Sequence, residues 1–284
     1  MENNIVLFTS ADEFNLIVPN VVKGTSLDKI NTHCINANNK HILPFIDESL
    51  FASSDENVIS FLKNIQANYA AYEMMQVANM IITKDGAMSI EGSNLKPNFG
   101  DKQDVLAYYS ETGDTYIDLL LNYLQINLVE TSKRFSSVFF DSLSEFETYR
   151  LIGSSYRTFF ALMPFINSVE KLIIIPRLGD KLNDILTLSE HKDLLYSIKG
   201  LIASRVVLKA ISSLKLKYDN GVTLTTFIPS IKSKFIEEER SRTEKSIQED
   251  IEMFGSDLEQ KLRVLFSSTS TKFENVQTNK GLFF

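Results

Sequence analysis

The chain has 284 residues, 44% of them hydrophobic and 23% charged, with a net charge of −7. That acidic balance excludes a protein that coats nucleic acid by neutralising phosphates, and it suits a surface past which DNA slides without sticking. The 6 Pro and 11 Gly are few for this length and favour long helices over a turn-rich β sandwich, and the single cysteine, Cys34, excludes an internal disulfide framework and fits synthesis in a reducing compartment.

In chain order, the opening "MENNIVLFTS" lacks the basic start and apolar core of a secretory signal. No segment reads as the roughly 18–20 apolar residues that span a membrane. In "GTSLDKINTHCINANNKHIL", Thr25 and Asp28 stand at capping-box spacing and predict a helix start, and Pro44 ends or kinks that helix. Residues 56–82 read as a strong helix, apolar all round along "ANYAAYEMMQVANMII" and therefore central. "KDG" then makes a turn at Gly86, and "AMSI" is a short strand or an extended arm. A third helix is predicted over about 102–128, with Tyr116, Leu120, Tyr123 and Leu124 on one side.

The rest of the chain repeats this order. At an offset of 132, Phe8 pairs with Phe140, Glu13 with Glu145, Phe14 with Phe146, Ile30 with Leu162, Cys34 with Ile166, Ala37 with Val169 and Pro44 with Pro176. At 136, Val58 pairs with Leu194, Leu62 with Ile198, Ile65 with Leu201, Tyr72 with Leu208 and Met75 with Ile211, steps of three and four along one helix face. One position breaks the match: Tyr69 meets Arg205. The turn glycines Gly86 and Gly221 align at 135. Any two amphipathic helices can be slid until their stripes agree, but the recurrence of a whole series of elements in order argues for duplication.

The second central helix is expected over 190–216, then the "DNG" turn, "VTLTTFI" as a strand or arm, and a longer helix over about 231–266. That last helix begins with the charged "FIEEERSRTEKSIQED" and continues with Ile247, Ile251, Phe254, Leu258, Leu262 and Leu265 at helical spacing; a helix so polar at one end projects into solvent or lies against another chain. The aromatics of 135–165 read as core, with an exposed docking patch as the rival. The expected fold class is therefore mainly α, with two related helical halves, 1–134 and 135–266, short β segments beside Gly turns, a long C-terminal helix, and a polar flexible arm from 267 to 284.

Chemistry is sparse. His33, Cys34 and His41 are the one cluster resembling metal ligands, but Cys34 points away from the histidines and no fourth ligand stands nearby, so they read as packing residues. There is no GxSxG, GxGxxG or Walker A sequence, and "YDNGVTLTTF" lacks the spaced oxygens of a calcium loop, so Gly221 reads as a positive-φ turn residue. The carboxylates of "EEER" (237–240) fall on successive helix faces and cannot converge as an acid/base pair, and Arg205, Lys215 and Lys217 fall short of a nucleic-acid footprint. The expectation is no enzyme, no catalytic residue, no cofactor and no metal.

"FINSVEKLIIIPRLGDKLNDIL" (165–186), followed by "LLYSIKGLIASRVVLKAISSL" and the "DNGV" turn, is similar to head–tail connector (adaptor or neck ring) proteins of tailed bacteriophages, closest in character to those of crAss-like phages and related Bacteroidales prophages. "NNKHILPFIDESLF" and 58–90 repeat the likeness more weakly, and the resemblance covers most of 8–266 as a pattern of apolar spacing and turns with no signature motif. The charged helix and tail after residue 230 depart from it. The resemblance implies a virion protein of the neck or tail region, made in the host cytoplasm. Such a subunit sits in a homo-oligomeric ring between portal and tail proteins, lets DNA pass its lumen without specific binding, and needs no membrane. Candidate contact residues are Met88 and Ile90 after the first turn, Thr223, Leu224 and Phe227 after the second, Glu238 and Arg240 on the charged helix, and the terminal Leu282, Phe283 and Phe284. The alternative is an intracellular helical adaptor or regulator that binds a protein partner through the aromatic region.

Overall fold

The computed structural model describes residues 5–19, 26–77, 80–83, 86–89, 99–127, 136–218, 221–228 and 233–278. They form two compact units: one gathers 1–135 with 152–161 and 214–239, the other 136–151 with 162–213 and 240–284. The fold is mainly α.

The first copy runs α1 (Ala11–Ile17), α2 (Leu27–Ala37), a π-helical turn (Asn38–Ile42), a 3-10 turn (Glu48–Ala52), α3 (Glu56–Val77), the hairpin β1 (Met80–Thr83) and β2 (Gly86–Ser89), and α4 (Phe99–Asn127). The second runs α5 (Leu143–Glu147), α6 (Tyr156–Val169), a π-helical turn (Glu170–Ile174), α7 (Ile175–Leu178), α8 (Leu182–Thr187), α9 (Lys192–Ile211), the hairpin β3 (Leu216–Lys217) and β4 (Thr223–Leu224), and α10 (Ser233–Thr278).

The duplication extends to individual hydrogen bonds. Ser10 caps α1 by accepting from the Glu13 amide at 3.1 Å while Glu13 accepts from the Thr9 amide at 2.9 Å. Ser142 and Glu145 repeat that reciprocal cap on α5 at 3.2 and 2.9 Å, the second bond coming from the Asp141 amide. Each capping glutamate also pairs with a lysine of the central helix, Glu13 with Lys63 and Glu145 with Lys199. Phe8 meets Phe14, and Phe140 meets Phe146, with ring centroids 5.1 Å apart in both.

The π turns fall at matching positions, each two residues before the proline. A proline lacks the amide donor and crowds the carbonyl one turn back, and a widened turn just before it accommodates both effects. Each π turn opens on a buried polar residue that ties down the chain leading into α1 or α5. Asn38 donates to the Ile5 carbonyl at 2.6 Å, and Glu170 accepts from the amides of Val138 and Phe139 at 3.1 and 3.2 Å. The hairpins share a register: Met80 faces Ser89 and Ile81 faces Met88 in one, as Leu216 faces Leu224 and Lys217 faces Thr223 in the other.

The cores follow the matched stripes. Ile30 and Leu162, Cys34 and Ile166, Leu62 and Ile198, and Ile65 and Leu201 are fully buried pairs. Phe139, Phe140, Phe146, Phe159 and Phe160 are buried within their own units, as the core reading expects. Helix pairs close tightly at two glycines: a Cβ on Gly113 of α4 would stand 2.9 Å from the Tyr69 ring, and one on Gly200 of α9 would stand 2.5 Å from the Phe254 ring of α10.

Several expectations are corrected. The central helices end at Val77 and Ile211: of the residues expected as their last turns, Met80–Ile82 belong to β1 and Leu216 to β3, with a turn at 212–214; "MIIT" pairs with β2, and β-branched residues suit a ladder. Helix α2 starts at Leu27 with Ser26 as N-cap and no side-chain cap bond, and Thr25 lies outside the described residues. Gly221 has φ +119°, as its turn requires, while the residues before Gly86 lie outside the described set. Pro164 lies inside α6 and Pro176 is the second residue of α7, so the helical run Tyr156–Thr187 continues through both. By length and composition this one run is apolar enough to cross a membrane, with a mean hydropathy of 1.5 in its best window, half of which is buried inside the protein. Helix α10 continues to Thr278, into the stretch expected as an arm.

Candidate functional site

Two polar constructions organise the first unit. On α4, Asp114 and Asp118 stand one turn apart and both face segments from the second half of the sequence. Asp114 accepts from the Tyr69 hydroxyl at 2.6 Å and from the hydroxyl and amide of Thr226 at 2.6 and 3.0 Å, and pairs with Arg157 at 2.7 Å. Arg157, 4% exposed, also donates to the Thr226 hydroxyl at 2.9 Å and lies over the Phe45 ring at 5.4 Å. Asp118 accepts from the Ser155 hydroxyl and, at 2.7 Å, from the Arg157 amide, placing a carboxylate at the start of α6. Burial raises the Asp118 carboxyl above its usual range and the Tyr69 hydroxyl well above its own, so Tyr69 stays a donor.

The second construction closes the outer face of α2, its π turn and α3. His41 stacks on Tyr69 at 4.5 Å and its Nε2 lies 3.0 Å from Glu73, which Lys40 also reaches at 2.6 Å. Phe227, just after β4, meets the Tyr72 ring at 6.0 Å. These groups tie helices to one another; the carboxylates are consumed by pairing. Among the described residues no group of three or more His, Cys, Asp or Glu could hold a metal ion. Cys34 is buried and its thiol is pushed up to about 12 by burial, and burial lowers His33.

In the second unit, α10 packs on α9 through Phe254 against Gly200 and through polar ties: Arg150 reaches Asp250 and Ser204, and Lys261 joins Asp257 at 2.6 Å and Ser197 at 2.9 Å. Two open depressions lie among the unit's described residues. One, about 410 Å³, is walled by Ser168, Val169, Leu172, Ile173, Arg205, Leu208, Lys209, Gln248 and Ile251. Leu172 there is 74% exposed, and the Nε of Arg205 is buried with no hydrogen-bond partner among the described residues. The other, about 380 Å³, is bordered by His191, Leu194, Lys261 and Val264. The first is the candidate site: a groove that sets the apolar Val169, Leu172, Ile173, Leu208 and Ile251 beside two cations, Arg205 and Lys209.

The contact residues chosen from sequence distribute unevenly. Thr223 and Leu224 form β4, where the Leu224 amide donates to Thr158 at 3.0 Å and its carbonyl accepts from Arg157 at 3.3 Å. Together with Phe227 on Tyr72, these residues serve their own unit. Met88 pairs with Ile81 within the first hairpin. Glu238 is exposed on α10, and Arg240 pairs with Glu244 at 2.8 Å. Ile90, Leu282, Phe283 and Phe284 lie outside the described residues. Lys217, read as part of a basic group, pairs with Glu111. Sequence reasoning missed Asp114, Asp118 and Arg157, which bear no motif. It also missed the groove, although the mismatch of Tyr69 and Arg205 was its signal.

The fold defines a duplicated helical protein, each copy a helix, a π turn, a central helix and a hairpin followed by a long helix. Residues 30–132, most of the first copy, are similar to a family of unknown function (DUF6712). No curated protein and no solved structure matches the chain.

Proposed function

We propose that this chain is a structural virion protein, a head–tail connector subunit that assembles side by side into a ring between portal and tail and lines the DNA channel. The observation that carries this reading is the duplication itself, together with its unequal finish: two copies of one frame, the first closed over by the hairpin region of the second, the second left with an open groove at the matching place. A repeat array that ends with an unfilled seat is built to continue into another copy. The likeness to phage connectors in apolar spacing and turn order supports the same reading, and a net charge of −7 suits a lumen past which DNA slides. The buried titratable groups described above act as ties between helices, a structural use.

Mass spectrometry of purified particles tests the proposal. The chain should be present in stoichiometric amounts and should co-sediment with the portal protein when the two are coexpressed. Its absence from particles, with recovery on a soluble cytosolic partner instead, would favour the adaptor reading.

A further inference from the structure

The groove of the second unit occupies the same station as a filled site in the first. Applying the repeat offsets, Lys40, His41, Tyr69, Tyr72 and Glu73 correspond to Leu172, Ile173, Arg205, Leu208 and Lys209. In the first unit this face is covered by the chain after β4: Phe227 lies on Tyr72, and Thr226 is bonded to Asp114 beside Tyr69. Together with His41 and Gly113 of α4, that segment leaves Tyr69 and Tyr72 buried, at 0% and 3% exposed. In the second unit α10 borders the matching residues through Gln248 and Ile251, but no described segment corresponding to the chain after β4 lies over them, and the groove stays open. Leu172 stands exposed, and Arg205 keeps an unpartnered Nε among the described residues.

We infer that the groove receives the first hairpin of a second copy of this chain. In the repeat numbering Thr223, Leu224, Thr225 and Thr226 correspond to Met88, Ser89, Ile90 and Glu91. The hairpins share a register up to Ser89 and Leu224; Ile90 and Glu91 follow the first hairpin in sequence and lie outside the described residues. The chemistry is complementary where the two sites differ. Thr226 meets the carboxylate of Asp114, whereas Glu91 would meet Arg205 and Lys209, the two cations of the groove wall, the second of which donates to Ser168 at 3.0 Å. Met88 and Ile90 are the apolar residues of that segment by sequence, and Leu172, Leu208 and Ile251 are apolar residues of the groove wall. Hairpin into groove is a heterologous contact, used once by each face of each subunit, and such contacts close into rings when the rotation permits. The inference deepens the connector reading by naming the contact between neighbours.

The test uses full-length chains. One variant carries Leu172→Cys and another Met88→Cys; the two are mixed and treated with a short bismaleimide. The native Cys34 is buried, and the unsubstituted chain is the control. Covalent dimers should form in the mixture and not with either variant alone. In parallel, Lys209→Glu should weaken self-association about tenfold or more by sedimentation, and Glu91→Lys added to it should restore association. Oligomers that persist unchanged in Lys209→Glu, with no crosslink in the mixture, overturn the groove assignment and leave the ring reading standing. A third chain carrying both Leu172→Cys and Met88→Cys is treated in the same way, and a crosslink formed only within that single chain, with none in the mixture, overturns the assignment in favour of a contact inside one molecule. An unsubstituted chain that stays monomeric at all concentrations, alone and with portal, overturns both.

Discussion

Arg205 stands on α9 where Tyr69 stands on α3, and the two meet opposite surroundings. Tyr69 is fully buried and donates to Asp114 at 2.6 Å, while Arg205 lines an open groove. Around this pair the copies diverge, although their caps, π turns and hairpin registers agree. The change of residue type and surroundings at this matched station makes this face one where the two copies differ.

Asp114 is the centre of the first unit's polar ties, and removing it strands Arg157 without its charge partner. Asp114→Ala should cost about 3–5 kcal/mol, because an uncompensated buried guanidinium is left behind. Equilibrium urea denaturation measures this, and Glu252→Ala at an exposed position of α10 should stay within about 0.5 kcal/mol of the unsubstituted chain.

Glu170 should behave as a backbone tie. Its carboxylate is fully buried and accepts from the Val138 and Phe139 amides. Glu170→Ala removes the acceptor of the Val138 amide and one of the two acceptors of the Phe139 amide, whose other is Ser137, and should destabilise by about 1–3 kcal/mol, whereas Glu170→Gln keeps one acceptor and should cost less. Amide exchange at Val138 and Phe139 should speed up in both variants.

The close approaches at glycine set a further expectation. Gly113→Ala drives a methyl into Tyr69, which its bond to Asp114 holds in place, and Gly200→Ala drives one into Phe254. Each should cost about 1–3 kcal/mol from overpacking. Pairing Gly200→Ala with Phe254→Leu should recover part of the loss, as read from thermal midpoints.

Two carboxyls should give opposite pH dependences. The hydrogen bond from His41, followed by that from Lys40, holds the Glu73 carboxyl below its ordinary value of 4.5. Its stabilisation is therefore complete above that value and is lost as pH falls through the lower folded value. Burial raises Asp118 above its ordinary value of 3.8, so in the window above 3.8 the folded state holds the extra proton and stability falls as pH rises. Denaturation from pH 3 to 7 should show Glu73→Gln losing part of the acid destabilisation and Asp118→Asn losing the opposing slope.

The frame was legible in the sequence because apolar spacing and glycine or proline punctuation are local signals. The pairs Phe8 with Phe140 and Pro44 with Pro176, and the steps from Val58 to Met75, correspond to real stations in the fold. The ends of the central helices were misread because "MII" fits a helix stripe as well as a strand, and only pairing with β2 decides between them. Asp114, Asp118 and Arg157 were not legible, since their partners lie far along the chain and no spacing rule joins them. The groove was half legible. An arginine replacing a tyrosine on a matched stripe was visible, but the open space beside it depends on which segment covers each copy.

The central claim is that this duplicated chain exists to assemble with copies of itself. Mass photometry with negative-stain imaging of the purified full-length protein, alone and with portal, tests it most directly. The account predicts closed rings of one chain type, stacked on portal when portal is present. Monomers alone under both conditions would contradict it.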